Sequence, residues 1–314
     1  MTSPEARPFV VYPVLALGLV SFSASAILVR YAADAPGMAI AVWRTVFAVL
    51  LLAPLALPRI GREVRAFTRR DVAMIVGAGV LLGIHFITWI ESLYHTSVAS
   101  ASVLVTMSPI FLALLGYFVL GERLPLVVVA GIVLAVAGAA LIALGDAAGA
   151  AARPGSLLGN SLALFAAVVV SCYLVIGRVV RQKTSWLAYV FPLYFVVALT
   201  TLTGAWVAGT PLGGHGAGFY GLCALMAIGP QIIGHGSFNY AVRYFPAAIL
   251  GLLSLSEPVG ASLAAYVLFG EAPAPLALVG MAVVLSAIAF STWHGRKARV
   301  GRAAVSAGPR FRRS

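Results

Sequence analysis

The amino-acid sequence predicts an all-α polytopic membrane protein, with ten transmembrane helices arranged as two inverted-topology five-helix repeats. Three observations lead to this fold class: the composition is too apolar for a soluble chain, apolar runs of membrane-spanning length recur, and one segment of the first half returns in the second. Of the 314 residues, 61% are hydrophobic and only 10% are charged, and the mean hydropathy is +1.02. A soluble domain carries about 25% charged residues.

Each predicted span is an apolar run of about 20 residues, enough to cross a hydrocarbon core of about 30 Å. The ten spans are 12–30, 37–57, 72–93, 97–119, 125–144, 156–177, 187–208, 217–240, 246–268 and 274–293. Residues 12–144 then form the first repeat and residues 156–293 the second. The Gly/Ala-rich stretch 145–155 is the predicted linker. The basic stretch 294–314 is a predicted cytoplasmic tail, and its many like charges favour disorder.

Basic residues predict the orientation, because short cytoplasmic loops are enriched in Lys and Arg. With the N-terminus inside, 18 of the 21 Lys and Arg residues fall on the cytoplasmic side, including five in "PRIGREVRAFTRRD" and seven after Trp293. Only Arg30 and Arg153 fall outside, and Arg44 lies within the second span. The sequence therefore predicts that both termini are cytoplasmic.

An internal repeat supports the division into halves. The segment "TMSPIFLALLGYFVLGE" (Thr106–Glu122) aligns with "LSEPVGASLAAYVLFGE" (Leu255–Glu271) at a constant offset of 149 residues, and Pro109 meets Pro258. Because each repeat has an odd number of spans, the second enters the membrane from the opposite side. Inverted repeats are typical of secondary transporters, whose substrate site lies near the midplane where the repeats meet.

The repeated segments also carry a family resemblance. The stretches "YHTSVASASVLVTMSPIFLALLGYFVLGERL", "FPAAILGLLSLSEPVGASLAAYVLFGE" and "VWRTVFAVLLL" resemble the ten-helix, EamA-type branch of the drug/metabolite transporter superfamily. The resemblance covers residues 12–293. It implies an exporter of amino acids or other small metabolites, and it is specific for the family rather than for the substrate.

Two sets of residues recur at four-residue spacing inside predicted spans, so each set shares one helix face. His85 and Trp89 lie in the third span, and Gln231, His235 and Asn239 lie in the eighth. They occupy nearly equivalent places in the two repeats, and we interpret them as facing strips that line a central substrate cavity. The alternative is that they are only packed and hydrogen-bonded within the bundle.

Arg44 is a candidate anchor for a substrate carboxylate, which guanidinium geometry suits. The alternatives are an arginine that extends to the outer interface or one that pairs with Glu91. Trp43, beside it, and Tyr173, deep in the sixth span, are further candidates for contact with the substrate.

Glu257 lies near the middle of the ninth span, directly before Pro258. An ionised acid there costs roughly 2.5–3.5 kcal/mol on insertion scales, so Glu257 must face the protein interior or a wet cavity. It is either a proton carrier or a ligand for a substrate amine, or else a structural group that orders the turn distorted by the proline. Pro109 and Pro258 are predicted hinges.

Other function classes lack their motifs. No catalytic or metal-binding motif is present, so the chain is predicted not to be an enzyme and to need no cofactor or metal. The net charge of +12 comes from loops and the tail, which does not indicate nucleic-acid binding.

The sequence predicts a monomeric secondary transporter of the bacterial inner membrane, with the lipid bilayer and a small molecule as partners. It would export amino acids, aromatic ones included, or similar metabolites by alternating access. An uncoupled facilitator or channel and a multidrug exporter are the alternatives.

Overall fold

The computed structural model describes residues 8–96, 101, 104–149, 157–269 and 272–306, and these residues form helices joined by short connections without any strand. The elements are α1 (Val11–Ser23), α2 (Ser25–Tyr31), α3 (Gly37–Arg65), α4 (Arg69–His95), α5 (Ser108–Leu120), α6 (Leu126–Gly149), α7 (Leu157–Val180), α8 (Trp186–Val207), α9 (Ala217–Met226), a π-helical segment (Ala227–His235), α10 (Gly236–Ala241), α11 (Ala247–Ser254), α12 (Glu257–Phe269) and α13 (Pro275–Ser306). The all-helical prediction is confirmed for this part of the chain.

Helix length and composition confirm an integral membrane protein. Seven stretches are long and apolar enough to cross a membrane: Val11–Tyr31, Gly37–Arg65, Arg69–His95, Leu157–Val180, Trp186–Val207, Ala217–Ala241 and Ala247–Leu268. Three apolar helices are shorter: Ser108–Leu120, Leu126–Ile142 and Pro275–Ser291. Each of the ten predicted spans overlaps one of these helices, although the first residues of the fourth span lie outside the described part of the chain. The number of crossings stays a prediction.

Two helices run further than the sequence predicted. Helix α6 continues to Gly149, so it includes the first residues of the predicted linker 145–155. Helix α13 continues to Ser306, into the predicted tail 294–314, and the disorder of that tail stays a prediction. The tail contains "GRKARVGRAA", in which Ala, Arg and Lys are strong helix formers. Residues 150–156 and 307–314 lie outside the described residues.

The most extensive contact between the halves in the described part of the chain is the packing of α6 on α13. A Cβ built on Gly280 would lie 2.6 Å from the carbonyl oxygen of Gly138, and one on Gly138 would lie 2.9 Å from that of Gly280. Further along, a Cβ on Gly131 would lie 3.4 Å from the Ala287 carbonyl oxygen. Residue numbers rise on one helix as they fall on the other, so the two helices are antiparallel. The offset of 149 residues makes Gly131 equivalent to Gly280 and Gly138 equivalent to Ala287. Exchange of the two halves therefore converts the Gly138–Gly280 contact into the Gly131–Ala287 contact.

Other helix contacts are also related by exchange of the two halves. Helix α3 is antiparallel to its equivalent α8, and Thr45 Oγ1 lies 2.9 Å from Thr201 Oγ1. Helix α4 packs against α7, while the run from α9 to α10, which is the counterpart of α4, packs against α1. Helix α5 packs against α7, and its counterpart α12 packs against α1. Equivalent surfaces of the two halves therefore face each other across the centre of the bundle.

The glycine contact between α6 and α13 gives a stability prediction. We expect Gly280→Ala to destabilise the folded protein by about 1–3 kcal/mol, because the added methyl group overlaps the Gly138 backbone, which cannot rotate away. The readout is the thermal midpoint of the purified protein in detergent. Gly221→Ala in α9 is the matched control, since a Cβ there meets nothing within 4 Å. Equal midpoints for the two variants would contradict the close backbone contact.

Candidate functional site

A cavity lies at the centre of the bundle, between the two halves. Residues of both halves line it: the first half contributes α1 to α5, and the second half contributes α7, the π-helical segment, α10, α11 and α12. Six of the residues singled out in the sequence are among them: Arg44, His85, Trp89, Tyr173, His235 and Glu257. The cavity is thus where most of the candidate residues meet.

Two helix breaks, 149 residues apart, border the cavity. Leu104 and Val105 are helical, the chain turns at Thr106–Met107, and α5 begins directly before Pro109. In the second half it turns at Leu255–Ser256 and resumes as α12 directly before Pro258. A proline has no backbone N–H and clashes with the preceding turn, so both helices begin again at their prolines.

Serine side chains reach the backbone at both breaks. Ser171 Oγ donates to the Ser108 carbonyl oxygen at 3.2 Å, and Ser23 Oγ donates to the Glu257 carbonyl oxygen at 3.3 Å. Glu257 is also the acid in the first turn of α12, where a carboxylate interacts favourably with the helix dipole. Its position therefore suits the structural role as well as a role in the cavity.

His235 is the centre of an aromatic wall. Its ring centroid lies 4.8 Å from that of Phe22 and 5.0 Å from that of Phe86, both in edge-on geometry. The Tyr173 hydroxyl lies 3.4 Å from His235 Nδ1, and the His85 ring lies 6.1 Å away, also edge-on. This wall can pack against an apolar or aromatic substrate group.

His85 is held in one tautomer by the backbone. Its Nδ1 lies 2.9 Å from the Ala166 carbonyl oxygen, and because a carbonyl only accepts, Nδ1 must carry the proton. In the neutral ring Nε2 is then an acceptor. A cavity-lining histidine with one fixed nitrogen can accept from a substrate donor through the other.

Arg44 is enclosed rather than extended to the interface or paired with Glu91. Its side chain is 1% exposed, Nε donates to Gln231 Oε1 at 3.3 Å, and Cζ lies 4.2 Å from the centroid of the Phe86 ring. Nη1 is buried without a hydrogen-bond partner among the described residues. The guanidinium is therefore oriented by Gln231 and Phe86, and it keeps donor capacity at its outer edge.

The π-helical segment positions both Gln231 and His235. Pro230 lies inside it, and the wider π turn accommodates the missing N–H. The Gln231 carbonyl oxygen accepts from the Gly236 N–H five residues later and from the Tyr194 hydroxyl at 2.6 Å. Tyr194 of α8 thereby fixes the turn that presents Gln231 to the guanidinium. Segments of this kind are rare and often occur at functional sites.

Three predicted site residues do not line the cavity. Trp43 points to the other side of α3, where Nε1 donates to the Leu212 carbonyl oxygen at 2.8 Å and the ring packs edge-on against Tyr220. Gln231 acts on the cavity through the guanidinium it holds. Asn239 lies one helical turn from the cavity-lining His235 and is fully buried.

Sequence reasoning missed Phe22, Phe86, Pro230 and Tyr194. Pro230 was the detectable signal, since a proline inside an otherwise apolar span indicates a distorted helix. Among the described residues no group of three or more His, Cys, Asp or Glu side chains is arranged to hold a metal ion.

Comparison with known proteins shows the family. The model of the EamA-like transporter family matches residues 11–144 and again residues 157–293. The chain belongs to the EamA-like transporter family. The resemblance inferred from the repeated segments is confirmed, and so is the two-repeat organisation.

Relatives of this EamA-like transporter carry exporter names. The "Probable terminal-alkyne amino-acid exporter" of Streptantibioticus cattleyicolor is 30% identical over 285 residues, which is 87% of this chain and 90% of the relative. The "Pseudopaline exporter CntI" of Pseudomonas aeruginosa is 34% identical over 77 residues, 24% of this chain and 27% of that protein. A solved crystal structure, 20% identical, superposes with a TM-score of 0.78 over 93% of this chain and 99% of the other. At that identity it supports the fold alone.

The contact between Gln231 and the buried guanidinium gives a second prediction. We expect Gln231→Leu to destabilise this EamA-like transporter by about 1–3 kcal/mol, because it removes an acceptor from a buried charge. Thr45→Val is the matched comparison, since it removes a buried hydrogen bond between neutral groups, to Thr201, and is expected to cost less. The free energy of unfolding of both variants is measured in the same detergent. A Gln231→Leu variant as stable as the wild type would show that the guanidinium does not depend on this acceptor.

Proposed function

We propose that this EamA-like transporter exports amino acids, including aromatic ones, or similar small zwitterionic metabolites across the bacterial inner membrane by alternating access. The observation that carries the proposal is Arg44, a buried guanidinium with an unpartnered Nη1, set in a cavity with an aromatic wall. The amino-acid exporter named among the relatives supports the same class of substrate.

The substrate carboxylate would bind the outer edge of the Arg44 guanidinium. Gln231 occupies Nε and Phe86 covers one face, so an incoming carboxylate meets the two terminal nitrogens in their own plane. A bidentate pair of this kind is the strongest arrangement for carboxylate recognition. The cost of a buried, incompletely paired charge in the empty site is relieved when the substrate is bound.

The rest of the substrate would contact the aromatic wall and the carboxyl group of Glu257. Phe22, Phe86 and Trp89 offer apolar surface to a side chain. Glu257 is a suitable partner for the substrate amine, or for a proton that replaces it. A positive group and an acidic group in one cavity match a zwitterion better than a purely apolar drug, which favours amino acids over the multidrug alternative.

Alternating access is supported by the antiparallel packing of equivalent helices and by the paired helix breaks. Exchange of the two halves converts α6 into α13 and α3 into α8, as an inverted-topology repeat requires. The breaks before Pro109 and Pro258 are candidate hinges beside the same cavity. The distribution of Lys and Arg along the chain supports cytoplasmic termini.

A transport experiment tests the role of Arg44. In proteoliposomes loaded for counterflow with a panel of radiolabelled amino acids, we expect the wild type to prefer an amino acid over its amide by about tenfold or more, as a lost charge-assisted hydrogen bond implies. Arg44→Met should reduce that preference to near one. The readout is the ratio of the inhibition constants of acid and amide.

Trp43→Phe is the matched control, because its neighbouring position on α3 faces away from the cavity, and the preference should persist. If well-folded wild-type protein exchanges no amino acid, the substrate proposal fails. If Arg44→Met keeps the preference, the carboxylate site lies elsewhere.

A second transport experiment separates Glu257 from the aromatic wall. We expect Trp89→Ala to abolish amino-acid exchange at symmetric pH, because it removes a large contact surface. Glu257→Gln should keep exchange and lose accumulation driven by an imposed proton gradient, because the amide retains its shape but cannot carry a proton. Accumulation by Glu257→Gln equal to that of wild type would leave the carboxyl group a structural role only. A wild type that never accumulates substrate against a gradient would indicate a passive facilitator.

A further inference from the structure

A layer of buried polar side chains lies one helical turn from the cavity, toward the α7–α8 connection. Tyr173 and His235 border the cavity, and Gly177 and Asn239 follow them by four residues on the same helix faces. Tyr189 of α8 reaches the same level, since a Cβ on Gly177 would lie 2.9 Å from its hydroxyl oxygen and 3.8 Å from Asn239 Oδ1. We call Gly177, Tyr189 and Asn239 the polar layer.

The polar layer holds three side-chain atoms without a hydrogen-bond partner among the described residues. They are the Tyr189 hydroxyl and both Oδ1 and Nδ2 of Asn239. Both side chains are 0% exposed. The Asn239 carboxamide lies near the hydroxyls of Tyr173 and Tyr194, but the geometry of a full hydrogen bond is not met at either of its two polar atoms.

Such a cluster requires a physical reason. Buried polar groups in native proteins nearly always have partners, and a hydrocarbon core supplies none. Apolar side chains of similar size would pack the same space without that cost. The polar layer is therefore suited to a second state of the protein, in which water or substrate enters it.

Two arginines beyond the polar layer, Arg178 and Arg181, bond to backbone carbonyl groups near the end of α10. Arg178 forms an ion pair with Glu122 at 3.1 Å, and its Nη1 donates to the carbonyl oxygens of Val242 and Arg243, each at 2.7 Å. Because Glu122 follows α5 and Val242 follows α10, Arg178 ties helices of both halves to α7.

The second arginine, Arg181, is 2% exposed. Its Nε donates to the Asn239 carbonyl oxygen at 2.9 Å, and its Nη1 donates to the Thr184 carbonyl oxygen. Burial lowers the pKa of the Arg181 guanidinium to about 10, so it remains charged at neutral pH. The carbonyls at the end of α10 carry partial negative charge, which suits a cation. We call Arg178 and Arg181 the guanidinium clamp.

We propose that the polar layer is the closed cytoplasmic half of the substrate path, and that the guanidinium clamp is the gate that holds it shut. The substrate enters from the cytoplasm when the clamp releases the end of α10, and it passes Tyr189 and Asn239 to reach His235. The proposal rests on the proposed function for the direction of transport and the cytoplasmic side. It assigns to Arg178 and Arg181 a task beyond fixing orientation.

Cysteine accessibility tests the path directly. Cys172→Ala and Cys223→Ala remove both thiols, and Asn239→Cys is introduced in that background. A membrane-impermeant methanethiosulfonate is added to inside-out vesicles, and separately to right-side-out vesicles. We expect labelling only from the cytoplasmic face. Adding Arg178→Ala should accelerate it about tenfold or more, the shift in an opening equilibrium that the loss of charge-assisted hydrogen bonds produces.

Ala188→Cys is the matched control. Ala188 lies at the same depth on α8 and is 0% exposed, but it packs with Ala56 and Ile60 of α3. We expect no labelling there with or without Arg178→Ala. The proposal is overturned if Asn239→Cys stays unlabelled when the clamp is removed, or is labelled from the periplasmic face alone. Equal labelling of the Ala188→Cys control would overturn it too, because the clamp would then hold the whole bundle rather than a path.

An isosteric apolar substitution gives an independent measurement. We expect Asn239→Leu to fold and to lower the rate of exchange by about tenfold or more. A polar substrate that passes an apolar side chain loses a hydrogen-bonding partner, and this raises the free energy of its passage. Unchanged exchange would contradict the proposal. The labelling experiment requires no transported substrate, so it tests the cytoplasmic path separately from the proposed function. A wild type that exchanges no amino acid would contradict the proposed substrate, and labelling of Asn239→Cys would still report the path.

Discussion

A single constraint governs this molecule: in a hydrocarbon core every polar group must find its partner within the protein. Regular helices meet it for most of the chain. The irregular backbone at Thr106–Met107, at Leu255–Ser256 and in the π-helical segment borders the central cavity, where other side chains reach it. Ser171, Ser23 and Tyr194 each bond to a carbonyl at one of these places. Distortion and polarity are thus concentrated where lipid cannot reach.

The same constraint explains the chemistry of the cavity. An arginine buried among helices is tolerated because Gln231 accepts from Nε and Phe86 covers its plane, yet Nη1 is left over. A protein that evolved for stability alone would satisfy or replace that group. The centre keeps an unpartnered donor, in contrast with the tight glycine packing of α6 on α13. A polar group held on a rigid scaffold supports the binding site proposed there.

The sequence predicted what depends on period and repetition. Apolar runs located the helices, the 149-residue offset located the equivalent prolines, and four-residue spacing placed His85 with Trp89 on a cavity-lining face. The rotation of each helix about its own axis could not be predicted from the sequence, because contacts with neighbouring helices determine it. Trp43 and Arg44 are adjacent, yet one contacts Leu212 and the other lines the cavity. The π turn also escaped prediction, since its register depends on Tyr194, a residue distant in sequence.

The π-helical segment has a consequence for the energetics of the two halves. Its counterpart α4 is α-helical throughout, so exchange of the halves does not leave the molecule unchanged. Two identical repeats would make the inward-facing and outward-facing states degenerate, with equal populations in the absence of substrate. One wide turn, present in only one of these two equivalent helices, removes that degeneracy. A difference of about 1.4 kcal/mol already populates one state tenfold over the other. In the proposed alternating-access cycle, this asymmetry between equivalent helices favours one resting side over the other.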